Sequence, residues 1–334
     1  MNGAGAGNNK QRLPRWALPA LGYLISVACL VWVYWGFDWK REMGRLATTD
    51  WRWVTLAVMA DIAVYLCQGW RWSTLLRPVA DVGVWKTTQA VYIGLFANEV
   101  LPGRTGEVIR CYLQRRWSGL PLSVVISSAV LERVMDGAWL VLGFWMVSQY
   151  VKVSKTLIVG SRILLLLLVI AGVLVTLAVL YRGETEAALA RSRWARLFRH
   201  VVGGVHSMGR SWSFARAAVL SLVYLLLQIL PILFLMKAYG LEVTGWAAPV
   251  VLVVLRLGTI PPQGPGNVGS FQALSRGALE LFGLERAEAT GFSTLLFLVV
   301  TVPLWLAGFA ALIATRMRFS EIHREAHEQM AEEG

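Results

Sequence analysis

The sequence predicts an all-α polytopic membrane protein with six spanning helices and two oppositely oriented re-entrant helical hairpins, arranged as an inverted repeat. Three observations support this fold class. First, 56% of the 334 residues are hydrophobic and only 16% are charged, whereas a soluble domain carries about 25% charged residues. Second, several apolar segments approach or exceed the roughly 20 residues that cross a ~30 Å hydrocarbon core. Third, two further apolar segments are each interrupted by a Pro-Gly pair.

Six uninterrupted segments are long enough to span the bilayer. They comprise residues 16–37, 53–76, 120–149, 162–181, 216–238 and 290–315. The first follows Lys10, Arg12 and Arg15 and has no small-residue cleavage site after it, so we expect an uncleaved span rather than a signal peptide. Residues 1–15 and 317–334 are predicted tails, and residues 16–316 form one transmembrane domain.

The two interrupted segments are residues 84–117 and 246–283. Each half is too short to cross the bilayer at 1.5 Å per residue, so each segment is predicted to enter and leave on the same side. The breaks align with one another, and the candidate hinge positions are Pro102, Gly103, Gly106, Pro265, Gly266 and Gly269. An inverted repeat of this kind places a substrate site where the broken helices meet, near the middle of the membrane.

Arginine placement predicts the orientation. The loop at residues 182–216 carries seven arginines and two glutamates, which favours the cytoplasmic side. Counting spans outward puts both termini in the cytoplasm, with the first hairpin entering from the cytoplasm and the second from outside. The external loop at residues 38–52 carries four cations and opposes this assignment. The predicted location is the cytoplasmic membrane.

The net charge of +12 does not indicate a nucleic-acid partner. The arginines cluster between apolar segments, where they set orientation and meet anionic lipid headgroups. The four histidines lie outside the spans, and the three cysteines have neither metal nor disulfide spacing. We therefore predict no enzyme activity, no cofactor and no metal site.

The stretch "LPGRTGEVIR" (residues 101–110) is the first candidate site. A backbone break at membrane depth survives where it lines a polar cavity, and the N-terminus of the helix that follows suits a phosphate group. Arg104 and Arg110 offer guanidinium groups that match phosphate oxygens. Asn267 belongs to the second break. The alternatives are a plain extramembrane turn, and interfacial salt bridges at both arginines.

The stretch "LERVMDGAW" is the second candidate site. Glu132, Arg133 and Asp136 lie roughly 18 to 24 Å into an otherwise apolar span. Helical spacing puts the two carboxylates on one face and brings Arg133 within reach of Asp136. Charged side chains at this depth in a span indicate a functional site. The alternative is a structural ion pair. Arg256 precedes the second break in the same way, with Asp61 as a candidate partner.

Three motifs in order resemble the transmembrane region of lysylphosphatidylglycerol synthases, also called the flippase-like domain family. They are "NEVLPGRTGEVIRCYLQRR", "SSAVLERVMDGAWLV" and "PPQGPGNVGSFQALSRGALELFGL". The first motif matches the family at Asn98, Pro102, Gly103, Gly106, Glu107 and Arg110, and the second at Glu132, Arg133 and Asp136. The third departs from it, because Gln272 stands where a glutamate is common.

The resemblance implies lipid translocation and not aminoacyl transfer, because the family's soluble transferase domain is not found in this sequence. We expect a flippase for an anionic, phosphate-bearing lipid such as a phospholipid, a glycolipid or a polyprenyl phosphate. A lipid-modifying enzyme or glycosyltransferase is a candidate protein partner. The alternatives are a secondary transporter of a water-soluble anion and a non-transporting subunit that scaffolds a lipid-modifying enzyme. The candidate headgroup-binding residues are Asn98, Arg104, Arg110, Arg133, Arg256 and Asn267, and those for proton coupling or gating are Glu107, Glu132, Asp136 and Gln272.

Overall fold

The computed structural model describes residues 17–101, 105–150, 212–259 and 264–315, with a few isolated positions between 158 and 170. Every regular element in this part of the chain is helical, which confirms the all-α class. The predictions that concern residues 1–15, 102–104, 182–211 and 317–334 lie outside the described residues. Most of the predicted span at residues 162–181 lies outside them too.

Among the described residues, three helices are long and apolar enough to cross a membrane. They are α3 (Trp51–Leu76), the joined pair α7 (Trp212–Leu227) and α8 (Ile229–Ala238), and α11 (Arg286–Ala314). These helices correspond to three of the six predicted spans. Many large apolar side chains on them face outward, including Leu56, Leu226, Leu306 and Phe309. Outward-facing apolar surface of this kind is expected where lipid tails are the solvent.

Two further helices coincide with predicted spans. Helix α1 covers Ala17–Tyr34, and α6 covers Leu122–Tyr150. Helix α6 has 29 residues, or roughly 43 Å at 1.5 Å per residue, but it carries the three charged residues of the second motif. The total of six spans therefore stays a prediction.

A short helix, α2 (Trp39–Thr48), occupies the segment that the sequence analysis assigned to an external loop. The Asp38 side chain caps its first turn by accepting hydrogen bonds from the backbone amides of Lys40 at 3.0 Å and Arg41 at 3.2 Å. One face of α2 packs on the protein, so that Glu42 is buried. The aspartate cap and this buried face explain why a segment assigned to a loop forms a helix.

The first interrupted segment folds as two packed helices, α4 (Val84–Val100) and α5 (Gly106–Ser118). They approach closely where glycine faces glycine. An ideal Cβ on Gly106 would lie 1.8 Å from the Gly94 carbonyl oxygen and 2.7 Å from Asn98 Oδ1. No side chain fits there, which explains the glycine that opens α5.

The second interrupted segment contains α9 (Ala247–Gly258), a 3-10 turn (Pro265–Asn267) and α10 (Ser270–Glu280). Helices α9 and α10 pack on one another, with Gly258 against the Leu274 side chain. Gly266 and Asn267 both adopt positive φ, at 66° and 50°. Glycine and asparagine are the residues that tolerate this conformation. Both interrupted segments are therefore helical hairpins, and their entry from opposite sides of a bilayer stays a prediction.

The two largest apolar clusters in the described part of the chain hold most of its helices together. One joins α8, α9 and α11 through side chains such as Leu235, Val251 and Phe292. The other joins the end of α3 to α4 and α5 through Trp72, Ile93 and Leu113. The buried charged groups described next pack beside the second cluster.

Candidate functional site

Arg71, on α3, is the centre of a buried network of charged side chains. Its guanidinium group is fully buried. Nε and Nη2 donate to Glu132 Oε1 at 3.2 and 3.0 Å, while Nη2 also reaches Asp136 Oδ2 at 3.2 Å. Nη1 donates to Asp136 Oδ1 and, at 3.1 Å, to Ser221 Oγ. One arginine thus holds α6 and α7 against α3.

A second buried arginine, Arg110, approaches the same carboxylate from the first hairpin. Its Nη1 lies 3.0 Å from Glu132 Oε2, and its Nε lies 2.7 Å from Glu107 Oε2. The guanidinium carbon is 4.8 Å from the centre of the Trp72 ring. Glu132 is therefore shared between Arg71 and Arg110, while Glu107 and Arg110 form an i, i+3 ion pair within α5.

Arg133 closes the network at its outer edge. It pairs with Glu107, and its Nη1 lies 3.8 Å from Asp136 Oδ2. Its side chain is 49% exposed, against 3% for Arg110 and 0% for Arg71. Three arginines and three carboxylates thus balance one another. This arrangement can supply structural ion pairs, and of its arginines only Arg133 is substantially exposed.

Arg256, on α9, has different surroundings. It donates to Gln228 and, at 3.2 Å, to the Tyr224 hydroxyl. Among the described residues, no carboxylate forms an ion pair with it, and its side chain is exposed. The predicted partner, Asp61, is not its hydrogen-bond partner. The reason is geometric: α7 and α8 present Tyr224 and Gln228 directly to Arg256.

Tyr224 connects Arg256 to the charge network. Its ring lies 4.7 Å from the Arg71 guanidinium carbon and 5.9 Å from that of Arg256. A cation over an aromatic face is attracted by the ring's electron density. One tyrosine therefore contacts both the neutralised arginine and the arginine that has no carboxylate partner.

Arg256 lines a cavity of about 240 Å³. Its polar lining side chains, called here the polar wall, are those of Arg256, Gln228, Asp61, Glu99 and Asn267, and its apolar lining includes Leu255, Phe271, Phe297, Val300 and Leu304. The cavity lies where α3, α4, α9 and α11 meet the turn of the second hairpin. A cavity lined by both polar and apolar side chains can hold an amphiphile.

Asp61 reaches this cavity from α3. Its side chain is 5% exposed, and its Oδ2 has no hydrogen-bond partner among the described residues. Tyr65 of the same helix also lines the cavity, and its ring packs 5.5 Å from that of Tyr92. A buried carboxylate oxygen without a partner is costly, so this position requires an explanation.

The two hairpin turns are closed by side-chain amides. Asn98 Oδ1 accepts a hydrogen bond from the Gly106 amide at 2.8 Å, and Gln272 Oε1 accepts one from the Gly269 amide at 2.7 Å. Both side chains therefore satisfy helix-start amides, as an N-terminal cap does. The predicted roles of Asn98 in headgroup binding and of Gln272 in gating remain untested.

The turn of the second hairpin contacts the end of α4. An ideal Cβ on Gly266 would lie 2.9 Å from Glu99 Oε2 and 3.7 Å from the Glu99 carbonyl oxygen. Glu99 comes three residues before Pro102, so the chain just before the first break lies against the second break. Pro102, Gly103 and Arg104 themselves lie outside the described residues.

The predicted site residues divide into two groups. Arg110, Arg133, Glu107, Glu132 and Asp136 join the ion-pair network, and none of them lines the described cavity. Arg256, Gly266 and Asn267 line the cavity. The sequence analysis missed Arg71, Tyr224 and Gln228. Gln228 could have been noticed as an amide in the middle of a predicted span.

Comparison with known proteins identifies the family of the chain. The model of the lysylphosphatidylglycerol synthase transmembrane region matches residues 20–308. The chain belongs to this family. It is therefore a multi-pass membrane protein, and the hairpins, the network and the cavity all lie within the matched range.

Archaeal relatives resemble most of the chain. A UPF0104 membrane protein of Methanothermobacter thermautotrophicus is 23% identical over 79% of this chain and 83% of its own length. Another, of Methanocaldococcus jannaschii, is 23% identical over 88% of this chain and 92% of its own length. A third, of Pyrococcus horikoshii, is 25% identical over 55% of this chain and 56% of its own length.

Proposed function

We propose that this protein is a lipid flippase that moves an anionic, phosphate-bearing lipid across the cytoplasmic membrane. The observation that carries the proposal is the cavity of about 240 Å³, in which Arg256 has no carboxylate ion-pair partner among the described residues. Family membership adds support, since the family's name refers to the synthesis of a modified phospholipid. The proposed role is transport and not catalysis.

The headgroup is proposed to bind at the polar wall. A guanidinium group offers several N–H donors in a plane that matches two phosphate oxygens. Asn267, on the turn of the second hairpin, would add side-chain donors beside it. The acyl or prenyl chains would lie along Phe271, Phe297 and Leu304, which spares them contact with water.

The proposed membrane arrangement is six spans with two hairpins that enter from opposite sides and both termini in the cytoplasm. The contact between the end of α4 and the Pro265–Asn267 turn supports it, because inverted repeats bring broken helices together at the substrate site. Arg110 and Arg133 would then shape the route to Arg256 through their ion pairs. Glu107, Glu132 and Asp136 would hold these arginines until a headgroup competes for them.

A second candidate function is that of a subunit that scaffolds a lipid-modifying enzyme or a glycosyltransferase. The complete pairing of the Arg71, Arg110 and Arg133 charges favours it, because paired charges can serve packing alone. The cavity beside Arg256 favours the flippase.

The test is a headgroup-accessibility assay in liposomes, with a fluorescent phosphatidylglycerol that a membrane-impermeant reductant quenches. Wild-type protein should expose the inner-leaflet label, and Arg256→Gln should lose at least about tenfold in rate, the equivalent of ~1.4 kcal/mol. Arg52→Gln is the matched control, since Arg52 is exposed at the start of α3.

Two outcomes would count against the proposal. If folded Arg256→Gln moved the label as fast as wild type, the cavity would have no part in transport. If wild-type protein moved none of the phosphate-bearing lipids offered, the scaffold function would be favoured.

A further inference from the structure

The cavity holds more negative than positive formal charge. Arg256 supplies one cation, while Asp61 and Glu99 supply two carboxylates on the same polar wall. An anionic headgroup that enters beside both ionised carboxylates meets two charges of its own sign. Like charges so placed repel strongly. Binding would therefore be favoured if one carboxylate became neutral.

Asp61 is the carboxylate that the geometry selects. It is 5% exposed, and its Oδ2 has no hydrogen-bond partner among the described residues. Glu99 is only partly buried, lies against the Gly266 turn and has further contacts. An ionisable group inside a membrane protein that lacks a partner marks a functional position, and proton relays are a common use of it.

The titratable and charged groups around Asp61 come from three helices. Helix α3 contributes Tyr65, α4 contributes Tyr92 and Glu99, and α9 contributes Arg256. Tyr224 of α7 lies beside Arg256. Helices α8 and α11 line the cavity with Ile232, Leu296 and Thr301 among others, none of which titrates. Arg256 is thus the cation of the cavity lining that would bind the anion.

We propose that Asp61 is a proton-binding site linked to headgroup binding, so that the cavity takes up one proton together with one lipid anion. The step balances in charge, because the proton neutralises one carboxylate while the phosphate brings one negative charge to Arg256. When the headgroup leaves, Asp61 loses its proton and its charge again opposes anion binding. This inference rests on the proposed function, since it concerns the same cavity.

The probe is a soluble short-chain phosphodiester lipid, dihexanoyl phosphatidylglycerol, whose charge does not change between about pH 5 and about pH 9. Purified full-length protein in detergent is titrated with it in weak buffer that contains a pH indicator. Wild-type protein should take up one proton per bound lipid. Its dissociation constant should rise by up to about tenfold per pH unit above the titration of Asp61, the slope that linkage sets for one proton.

Two variants assign the proton. Asp61→Asn should bind the probe with no proton uptake and a nearly constant dissociation constant, while Glu99→Gln, which removes the other carboxylate of the cavity, should bind the probe more tightly and still take up one proton per lipid. Thermal melting of each variant checks that it is folded. If Asp61→Asn folds poorly, wild-type and Glu99→Gln proteins still test the stoichiometry.

The results separate this inference from the proposed function. Tight binding with no proton uptake by wild type would overturn the proton site and leave lipid binding intact. Equal pH dependence in wild type and Asp61→Asn would do the same, as would loss of the uptake in Glu99→Gln alone. No binding by wild type at any pH would overturn both.

Discussion

Arg71 and Glu132 join α3 to α6 through two hydrogen bonds to a single oxygen, from Nε at 3.2 Å and from Nη2 at 3.0 Å. Both side chains are essentially removed from solvent. Glu132 uses its other oxygen to contact Arg110 of the first hairpin at 3.0 Å. The Glu132 carboxylate therefore connects an arginine of α3 with an arginine of α5. Its removal would take one of two carboxylate partners from each arginine.

Arg71→Gln should destabilise the protein severely. The change leaves Glu132 and Asp136 buried with one cation fewer, and breaking a buried pair in this way typically costs ~3–5 kcal/mol. We expect a large fall in the melting temperature and in the yield of monodisperse protein. Arg77→Gln, one turn and a half further along and exposed, is the matched control and should melt within a few degrees of wild type.

Combining Arg71→Gln with Glu132→Gln should restore part of that loss, since the double variant removes a cation and an anion together. A double variant less stable than the sum of the two single changes would contradict the ion-pair account.

Gly106→Ala should prevent the first hairpin from closing. The added methyl would lie 1.8 Å from the Gly94 carbonyl oxygen, a distance that the backbone must open to avoid. We expect a loss of several kcal/mol, in the range of severe overpacking, measured as melting temperature and as yield in detergent. Gly277→Ala is the control, because nothing lies within 4 Å of its added methyl; it should be neutral or slightly stabilising. Equal stability of the two variants would argue against the close helix contact.

Glu42, on α2, should make stability depend on pH. Burial raises the pKa of Glu42 above its ordinary value, and the guanidinium groups of Arg45 and Arg41 offset part of this increase. The pKa of Glu42 is therefore higher in the folded protein than in the unfolded chain. The stability that Glu42 contributes is complete at pH values below its unfolded-state pKa, and it is lost as the pH rises through its folded-state pKa.

We therefore expect Glu42→Gln to melt close to wild type at low pH and at a higher temperature than wild type near neutral pH. Thermal scans across that range measure the difference. Glu285→Gln, at an exposed position, should show no such growing difference. A constant offset between Glu42→Gln and wild type at every pH would contradict the prediction.

The proposed topology predicts which positions external reagents reach. In a background that lacks Cys29, Cys67 and Cys111, single cysteines at positions 195 and 325 should stay unlabelled in intact cells, because both are assigned to the cytoplasm. A cysteine at position 40, on α2, should react with a membrane-impermeant maleimide. Both positions 195 and 325 should label once the cells are permeabilised, and labelling of either in intact cells would reverse the orientation.

Local rules predicted the parts of the site that lie close together in the chain. Composition and apolar segment length predicted membrane-spanning segments at α3, at the joined α7 and α8, and at α11. Helical spacing predicted the contact of Arg133 with Asp136, because residues three apart on a helix are neighbours whatever surrounds them. The Pro-Gly breaks predicted two helical hairpins, since proline and glycine interrupt helices wherever they occur.

Only the tertiary structure decided which of these charged side chains form ion pairs and which face the cavity. Arg71 stands near the end of a predicted span, where arginines commonly reach the interface, and only the packing of α3 on α6 and α7 brings it to Glu132 and Asp136. In the same way, Arg256 was expected to meet Asp61, but Tyr224 and Gln228 contact it instead. A sequence determines which residues can pair along one helix. Which charges become paired between helices, and which are left facing a cavity, depends on rotations and distances that only the packed helices define.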